Sequence, residues 1–280
     1  MDVAADAARD VGDLLRAAFV RGGPAGSKRD FHDLVTVHDR MAEDRIAAFV
    51  LARVPDSSVL GEEGGRRGTG RVRWHVDPID GTNNFASQIP FFCVSIAAEE
   101  DGRIVAGAVY DPMRSELFAA WDGGASCNGS PIAARGAATE RDALLATDFP
   151  APTSASPRLD VSASASLGLD GKGDLELFGG MVERFGSVRR LGSSALALAY
   201  VAAGRVDVTF GLAAKPWDIA AGLFLVRAAG GVCRSFPEGQ TDGARPWSGP
   251  GYAAHVAGFD YAGSVLGELT HVRVPAGGVG

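Results

Sequence analysis

The segment Trp74-His75-Val76-Asp77-Pro78-Ile79-Asp80-Gly81-Thr82-Asn83-Asn84-Phe85 is the densest run of chemistry-bearing residues in the chain, and the fold reads outward from it. Alternation over Val72 to Val76 predicts a strand that carries Asp77 to its end. Pro78 has no N–H to give a sheet and breaks the pairing, and Asp80-Gly81-Thr82 can open a helix. Read alone, Asp80 caps a turn. Beside Asp77, it gives two carboxylates three residues apart at a strand end, ahead of a glycine that exposes backbone N–H groups. One loop then offers oxygens to a hard cation and amides to an anion.

Upstream, Val3, Ala7, Val11, Leu14, Leu15 and Ala18 share a stripe and predict an amphipathic helix over 3–20. Residues 21–33 read as a loop and Leu34 to Val37 as a short strand. Asp39 stands at the N-cap position of a helix with Ala42, Ile46, Phe49 and Val50 on one face, ended by Pro55. Downstream, Phe91–Ala98 and Ile104–Tyr110 flank the hairpin turn Asp101-Gly102, and Leu117–Trp121 follows. Helices followed by tightly linked strands predict an antiparallel sheet with helices against it.

The Ser-, Ala-, Pro- and Gly-rich segment 150–173 reads as a loop or mobile insertion without regular structure. Beyond it helices near 175–185, 194–203 and 217–229 alternate with strands near 187–191, 206–210, 232–236 and 252–258, an α/β pattern. The chain divides into an α+β half, 1–145, and an α/β half, 146–280.

With 280 residues, 46% apolar and 22% charged, the chain can bury a core of normal size. Its 27 basic against 34 acidic residues, net −7, argue against a nucleic-acid polymer as partner. Cys93, Cys127 and Cys233 match no metal or redox spacing and read as reduced packing thiols of a cytoplasmic protein. No signal peptide or membrane span is evident.

Spacing also excludes several chemistries. Asp77 and Asp80 lie one position too far apart for Asp-x-Asp-x-Thr, the alternating acids of a calcium loop are missing, and no Gly-Lys-Ser/Thr marks a P-loop. Two further acidic clusters stand out. Gly61-Glu62-Glu63-Gly64-Gly65 reads alone as solvated surface. Asp218, in Lys215-Pro216-Trp217-Asp218, reads alone as a carboxylate favoured by a helix N-terminus.

Together, Gly61-Glu62-Glu63, Asp77-Pro78-Ile79-Asp80-Gly81-Thr82 and Trp217-Asp218 resemble the inositol monophosphatase family of magnesium-dependent, lithium-sensitive phosphomonoesterases. Asp33-Leu34-Val35-Thr36 with Asp39, Cys127-Asn128-Gly129 and Gly192-Ser193-Ser194-Ala195 support the match, which runs from about residue 5 to 260. The resemblance implies a layered α/β/α/β/α sandwich of the inositol monophosphatase or sugar phosphatase type, usually a homodimer. Carried over, Glu62, Asp77 and the carbonyl of Ile79 resemble the ligands of one Mg²⁺, and Asp77, Asp80 and Asp218 those of a second. Glu62 touches a third ion, giving two or three, with Mn²⁺ able to substitute. Asp39, Glu62 and Thr82 are the implied catalytic set, in which Asp39 accepts the Thr82 hydroxyl hydrogen and Thr82 orients the attacking water. Asp80, Gly81, Thr82, Gly192, Ser193, Ser194, Gly211, Asp218 and Lys28 are the implied substrate contacts, Lys28 from a loop that shields the site.

The pattern departs at one place. Substrate-binding members carry a polyol-binding Glu seven residues before the Trp-Asp aspartate, where this chain has Gly211; the nearest upstream acid is Asp207, placed within the strand. Gly211 is expected to leave an open, uncharged space. The expected function is hydrolysis of an inositol-1-phosphate-like cyclitol or sugar phosphate by metal-activated water. Histidinol phosphate, a nucleoside monophosphate or a specialised-pathway ester are the alternatives. A non-catalytic binding or regulatory protein is the reading from a different class, and retention of the metal-ligand positions and Thr82 argues against it.

Overall fold

The computed structural model describes residues 1–21, 37–150, 171–212, 214–236, 245–249 and 251–269. Helices α1 (Asp2–Arg21) and α2 (Val37–Arg53) open the chain. An eight-stranded sheet follows: β1 (Ser57–Gly61), β2 (Gly65–Gly68), β3 (Val72–Asp80), β4 (Cys93–Glu100), β5 (Arg103–Asp111), β6 (Glu116–Trp121), β7 (Gly124–Cys127) and β8 (Ser130–Pro131), in the order β2-β1-β3-β4-β5-β6-β7-β8. A short helix, α3 (Thr82–Ala86), leaves the end of β3. The second sheet has the order β10-β9-β11-β13-β12, built from β9 (Leu144–Thr147), β10 (Ser187–Arg189), β11 (Val208–Leu212), β12 (Val232–Phe236) and β13 (Gly251–His255). Its helices are α4 (Gly171–Arg184), α5 (Ser194–Ala202), α6 (Pro216–Ala228) and α7 (Val265–Leu269).

The layers follow from which face of each strand is apolar. On β3 and β4, Trp74, Val76, Val94 and Ile96 point to a core shared with α1 and α2. Cys93 and Ala97, on the opposite parity, join a second core with α5, α6 and the five-stranded sheet. Helices α5 and α6 therefore lie between the two sheets, and α4 and α7 pack together on the outer side. This is the expected α/β/α/β/α sandwich. A helix covered by a sheet on each side has no polar face, and Ser194–Ala202 accordingly buries Ala195, Leu196, Ala197, Leu198, Ala199, Val201 and Ala202.

Several local expectations need correction. The first sheet is not wholly antiparallel, because β1 pairs parallel with β3. The strands β1 and β2 around Glu62 were not anticipated, since four residues of GRRG carry no apolar alternation. Helix α2 begins at Val37, which puts Asp39 inside its first turn rather than at its N-cap. The expected strand over 34–37 otherwise lies outside the described residues, as do Lys28 and residues 151–170; Gly171–Gly173 of the presumed loop open α4. Asp207 precedes β11 instead of lying within it, and its carboxylate takes the N–H groups of Ala137 and Leu144, 2.7 Å each, as a structural tie.

Candidate active site

Strand β3 pairs regularly with β4 as far as Asp77 opposite Ser95, slips, and resumes at Asp80 opposite Cys93. The slip falls on Pro78, which cannot donate to the ladder. The Asp77 carboxylate accepts the Ile79 N–H at 3.0 Å inside this irregularity, which fixes one of its oxygens. Gly81 then turns the chain at φ 104, and a Cβ there would meet the carbonyls of Phe91 and Gly192 at 3.1 Å. Only glycine fits that conformation and that gap.

Glu62 is placed by a residue that sequence reasoning missed. Buried Glu43 of α2 accepts the N–H groups of Glu63 at 2.7 Å and Gly64 at 2.8 Å and pairs with Arg67 at 3.2 Å. Any side chain at Gly61 would collide with the Glu43 carboxyl, so the glycine lets the turn close on it. Asp218 arrives from the second half in the first turn of α6, where its Oδ2 accepts the Lys215 N–H at 2.7 Å. Ser95 donates to the Trp217 carbonyl at 3.1 Å. Because Ser95 is the register partner of Asp77, this bond seats the start of α6 beside Asp77.

Asp80 is the most heavily bonded of the group. Its Oδ2 accepts the Ser193 hydroxyl at 2.5 Å and the Ala195 N–H at 2.6 Å, and the Cys93 thiol lies 3.7 Å away. Ser193 therefore orients Asp80. Cys93, read from sequence as packing alone, also lines that carboxylate. Asn84 clamps the two halves by donating to the carbonyls of Phe91 and Leu191, 2.7 Å each.

The electrostatics report how closely the acids gather. Burial, then the charges of Glu62, Asp80 and Asp218, hold Asp77 well above the usual carboxylate range. Glu62 is open to solvent on its outer side, yet the protein around its carboxyl, with Asp218, Glu63, Asp39 and Asp80, pushes it up to about 8. Burial raises Asp218 to about 7 despite its bond to Lys215, and Asp80 to about 6 despite its bonds to Ser193 and Ala195. Among the described residues no three carboxylates, imidazoles or thiols are gathered tightly enough to hold an ion as they stand. The donor set still fits a hard divalent cation: it is all oxygen and anionic, and among the described residues the only positive charge acting on these acids is that of Lys215, beside Asp218.

Thr82 opens α3 with its hydroxyl 3.0 Å from the Ile79 carbonyl and 3.5 Å from buried Asp39 Oδ1. The single hydroxyl hydrogen has its better-formed bond to Ile79, and the expected partner is the longer contact. Gly192 donates its N–H to Asp148 Oδ1 at 3.0 Å, and Ser194 its hydroxyl to Asp148 Oδ2 at 3.4 Å. Asp148 had no motif to reveal it.

The open space expected at Gly211 is not there. Gly211 is buried, and a Cβ on it would lie 2.7 Å from Cε1 and 3.2 Å from the hydroxyl of Tyr252. Gly211 and Tyr252 are register partners on β11 and β13, so the ring lies across the glycine. A separate cavity of about 530 Å³, bounded by Arg103, Trp121, Phe224, Arg227 and Trp247 among others, contains none of the clustered acids.

The model of the inositol monophosphatase family matches residues 1–258. The chain belongs to that family. It is 38% identical over 243 residues to Nus factor SuhB of Escherichia coli K12, covering 85% of this chain and 86% of the relative. Among solved structures, the extragenic suppressor protein suhB of Bartonella henselae superposes with a TM-score of 0.78 at 32% identity, covering 97% of each chain. The Thermotoga maritima IMPase gives 0.77 at 30% identity, covering 97% of this chain and 96% of that one. The family pattern thus spans both halves that deliver acids to the cluster. No described helix is long and apolar enough to cross a membrane.

Proposed function

We propose that the protein is a Mg²⁺-dependent phosphomonoesterase acting on a small phosphorylated metabolite. The observation that carries this reading is the convergence of Glu62, Asp77, Asp80 and Asp218 on the turn that bears Thr82, with Asp39 reaching it from α2. Those four carboxylates and the Ile79 carbonyl would hold the cations. Bound divalent ions, Mg²⁺ or Mn²⁺, supply positive charge to the phosphoryl group, the attacking water and the leaving oxygen.

The chain's own residues supply orientation. With its hydrogen directed to Ile79 O or Asp39 Oδ1, the Thr82 oxygen presents lone pairs to the attacking water and aims it at phosphorus. The amides of Gly81 and Thr82 face the phosphate oxygens in this reading. Ser193 and the Ala195 N–H hold Asp80 in one rotamer, and Lys215 does the same for Asp218. The products are the free alcohol and inorganic phosphate. The same reading takes the protein as cytoplasmic and homodimeric, in keeping with three free cysteines.

A second reading draws support from the name Nus factor carried by the relatives: a binding or regulatory role without hydrolysis. A binding protein has no physical need for four crowded acids around a threonine, and hydrolysis is the better account. The test is phosphate release from a panel of phosphomonoesters with Mg²⁺ and with chelator. Release that vanishes in chelator and returns with Mg²⁺ is expected; full activity after exhaustive metal removal would overturn the assignment.

A further inference from the structure

Three neighbouring strands of the second sheet lead to the Gly192–Ala195 turn that holds Asp80. Strand β11 pairs parallel with β9, Phe210 opposite Thr147, and antiparallel with β13, Gly211 opposite Tyr252. The residue after Thr147 is Asp148, so this acid stands one strand across from Gly211 at the same level of the sheet. The chain around it is fixed: the Thr147 hydroxyl donates to the Phe210 carbonyl at 2.6 Å and accepts the Phe149 N–H at 3.0 Å.

The Asp148 carboxylate shares the Gly192–Ala195 turn with Asp80. Asp80 takes the Ser193 hydroxyl and Ala195 N–H, while Asp148 takes the Gly192 N–H and the longer bond from Ser194. Asp148 is half-buried and borders exposed Gly192. A carboxylate accepts about four hydrogen bonds, and these two leave capacity unspent. Arg190 spends its Nη2 on the main-chain carbonyls of Asp148 and Pro150, 3.1 Å each, so its charge steadies the Asp148 carboxylate without donating a hydrogen bond to it. The Tyr252 hydroxyl lies among Ser194, Thr209 and this acid.

Resting on the hydrolase reading, we propose that Asp148 is the specificity-determining residue of this site. It selects phosphomonoesters whose alcohol portion presents a hydrogen-bond donor, a hydroxyl or an ammonium, to the Asp148–Ser194–Tyr252 wall. Tyr252 occupies the space beside Gly211, and the acceptor has moved one strand over.

The experiment measures kcat/KM of the full chain with Mg²⁺ for p-nitrophenyl phosphate, whose alcohol portion has no donor, for a polyol monophosphate and for an amino-alcohol phosphate. Asp148→Asn keeps an acceptor for the Gly192 N–H but removes the charge. A hydrogen bond to a charged group contributes about 1.5–3 kcal/mol, so the ratio of donor-bearing ester to p-nitrophenyl phosphate is expected to fall about 10- to 100-fold, mainly through KM. A larger fall for the amine identifies ion pairing, and a larger fall for the polyol identifies hydroxyl recognition. Equal losses on all three esters, or a ratio that falls in Asp148→Ala but not in Asp148→Asn, would overturn the proposal and leave Asp148 as a support for the turn. A wild-type chain that releases phosphate from no ester overturns the hydrolase reading beneath it, a result distinct from either.

Discussion

On one side of the site, Asp77, Ile79, Asp80 and Thr82 fall within six consecutive residues, whereas Gly211 and Tyr252 on two strands and Asp148 just past the end of a third meet only through sheet register. The first group is held by a strand end, a proline-induced slip and a left-handed glycine, all local consequences of sequence. The second exists only once the five-stranded sheet has formed. Charge differs as well: Glu62 and Asp218 join Asp77 and Asp80 on the first side, whereas the second offers an aromatic ring and one carboxylate, Asp148, whose charge adds to those that raise Asp80 and Asp218. Part of the proposed reaction chemistry thus sits in a contiguous motif, while Glu62, Asp218 and the proposed specificity wall are brought to it from distant parts of the chain.

The largest break in this comparison should come from Asp77→Asn. If these acids hold the proposed cations, removing one charge forfeits several kcal/mol of charge stabilisation. At about 1.4 kcal/mol per tenfold, phosphate release should fall by about 10³-fold or more. Steady-state kinetics with excess Mg²⁺ check this, and a variant within tenfold of wild type would remove the reason to treat the two sides as different.

Thr82→Ala should lower kcat by about 10²-fold with KM little changed, as loss of a positioned acid–base group does. The geometry sharpens this. Because the Thr82 hydroxyl is 3.0 Å from Ile79 O and 3.5 Å from Asp39, Asp39→Asn should cost less than Thr82→Ala. The reverse ranking would make Asp39 the principal partner, and near-normal kcat in Thr82→Ala would leave Thr82 as a tether for α3.

The same contrast explains what could be read from sequence. The division into an α+β and an α/β half followed from the order of helix and strand signals, whereas the layered sandwich and the role of the four acids came from the resemblance of three motifs to a known family. Glu43 was invisible because a Glu inside an amphipathic helix looks solvated until its turn partners are known. Gly211 was misread for a related reason. A glycine in a strand implies space only when its cross-strand neighbour is small, and here that neighbour is Tyr252. Asp207 seemed the nearest substitute acid along the chain, while the true neighbour across the sheet is Asp148, far away in sequence.

A smaller effect tests the closed wall directly. Gly211→Glu drives a side chain into the Tyr252 ring, and overpacking of this kind costs about 1–3 kcal/mol. At about 2–4 °C per kcal/mol for chains somewhat shorter than this one, the melting temperature should drop by several degrees. Combined with Tyr252→Ala, the glutamate enters the space the ring vacates, and the double variant should melt no lower than Tyr252→Ala alone. If Gly211→Glu melts with the wild type, the ring swings clear and the wall is not closed.

The smallest expected effect concerns pH and asks whether the crowded acids are what a cation binds. Burial first, and then repulsion from neighbouring acids, Asp148 among them at Asp80 and Asp218, raises Glu62 from 4.5 to about 8, Asp218 from 3.8 to about 7 and Asp80 from 3.8 to about 6 in the folded chain. Between about pH 4 and pH 8 the folded state therefore holds more protons on these groups than the unfolded state, so their contribution to stability falls as pH rises through that window. Buried His255, whose pKa is lowered, and Glu99, lowered by its bond to His75, act with the opposite sign, each favouring the fold as pH rises through its unfolded value. Both lie outside the acid cluster and contribute equally with and without the cation. A cation that binds the ionised acids only in the folded chain adds about 2.7 kcal/mol at a hundred times its dissociation constant, and it cancels their repulsion. The Mg²⁺-minus-chelator difference in melting temperature should therefore widen from about pH 5.5 to about pH 8, as binding competes less with protons. Thermal melts across that range decide it: a difference that stays constant or narrows with pH would mean the cation binds elsewhere, and the acid side of the cleft would lose the property that sets it apart from the wall.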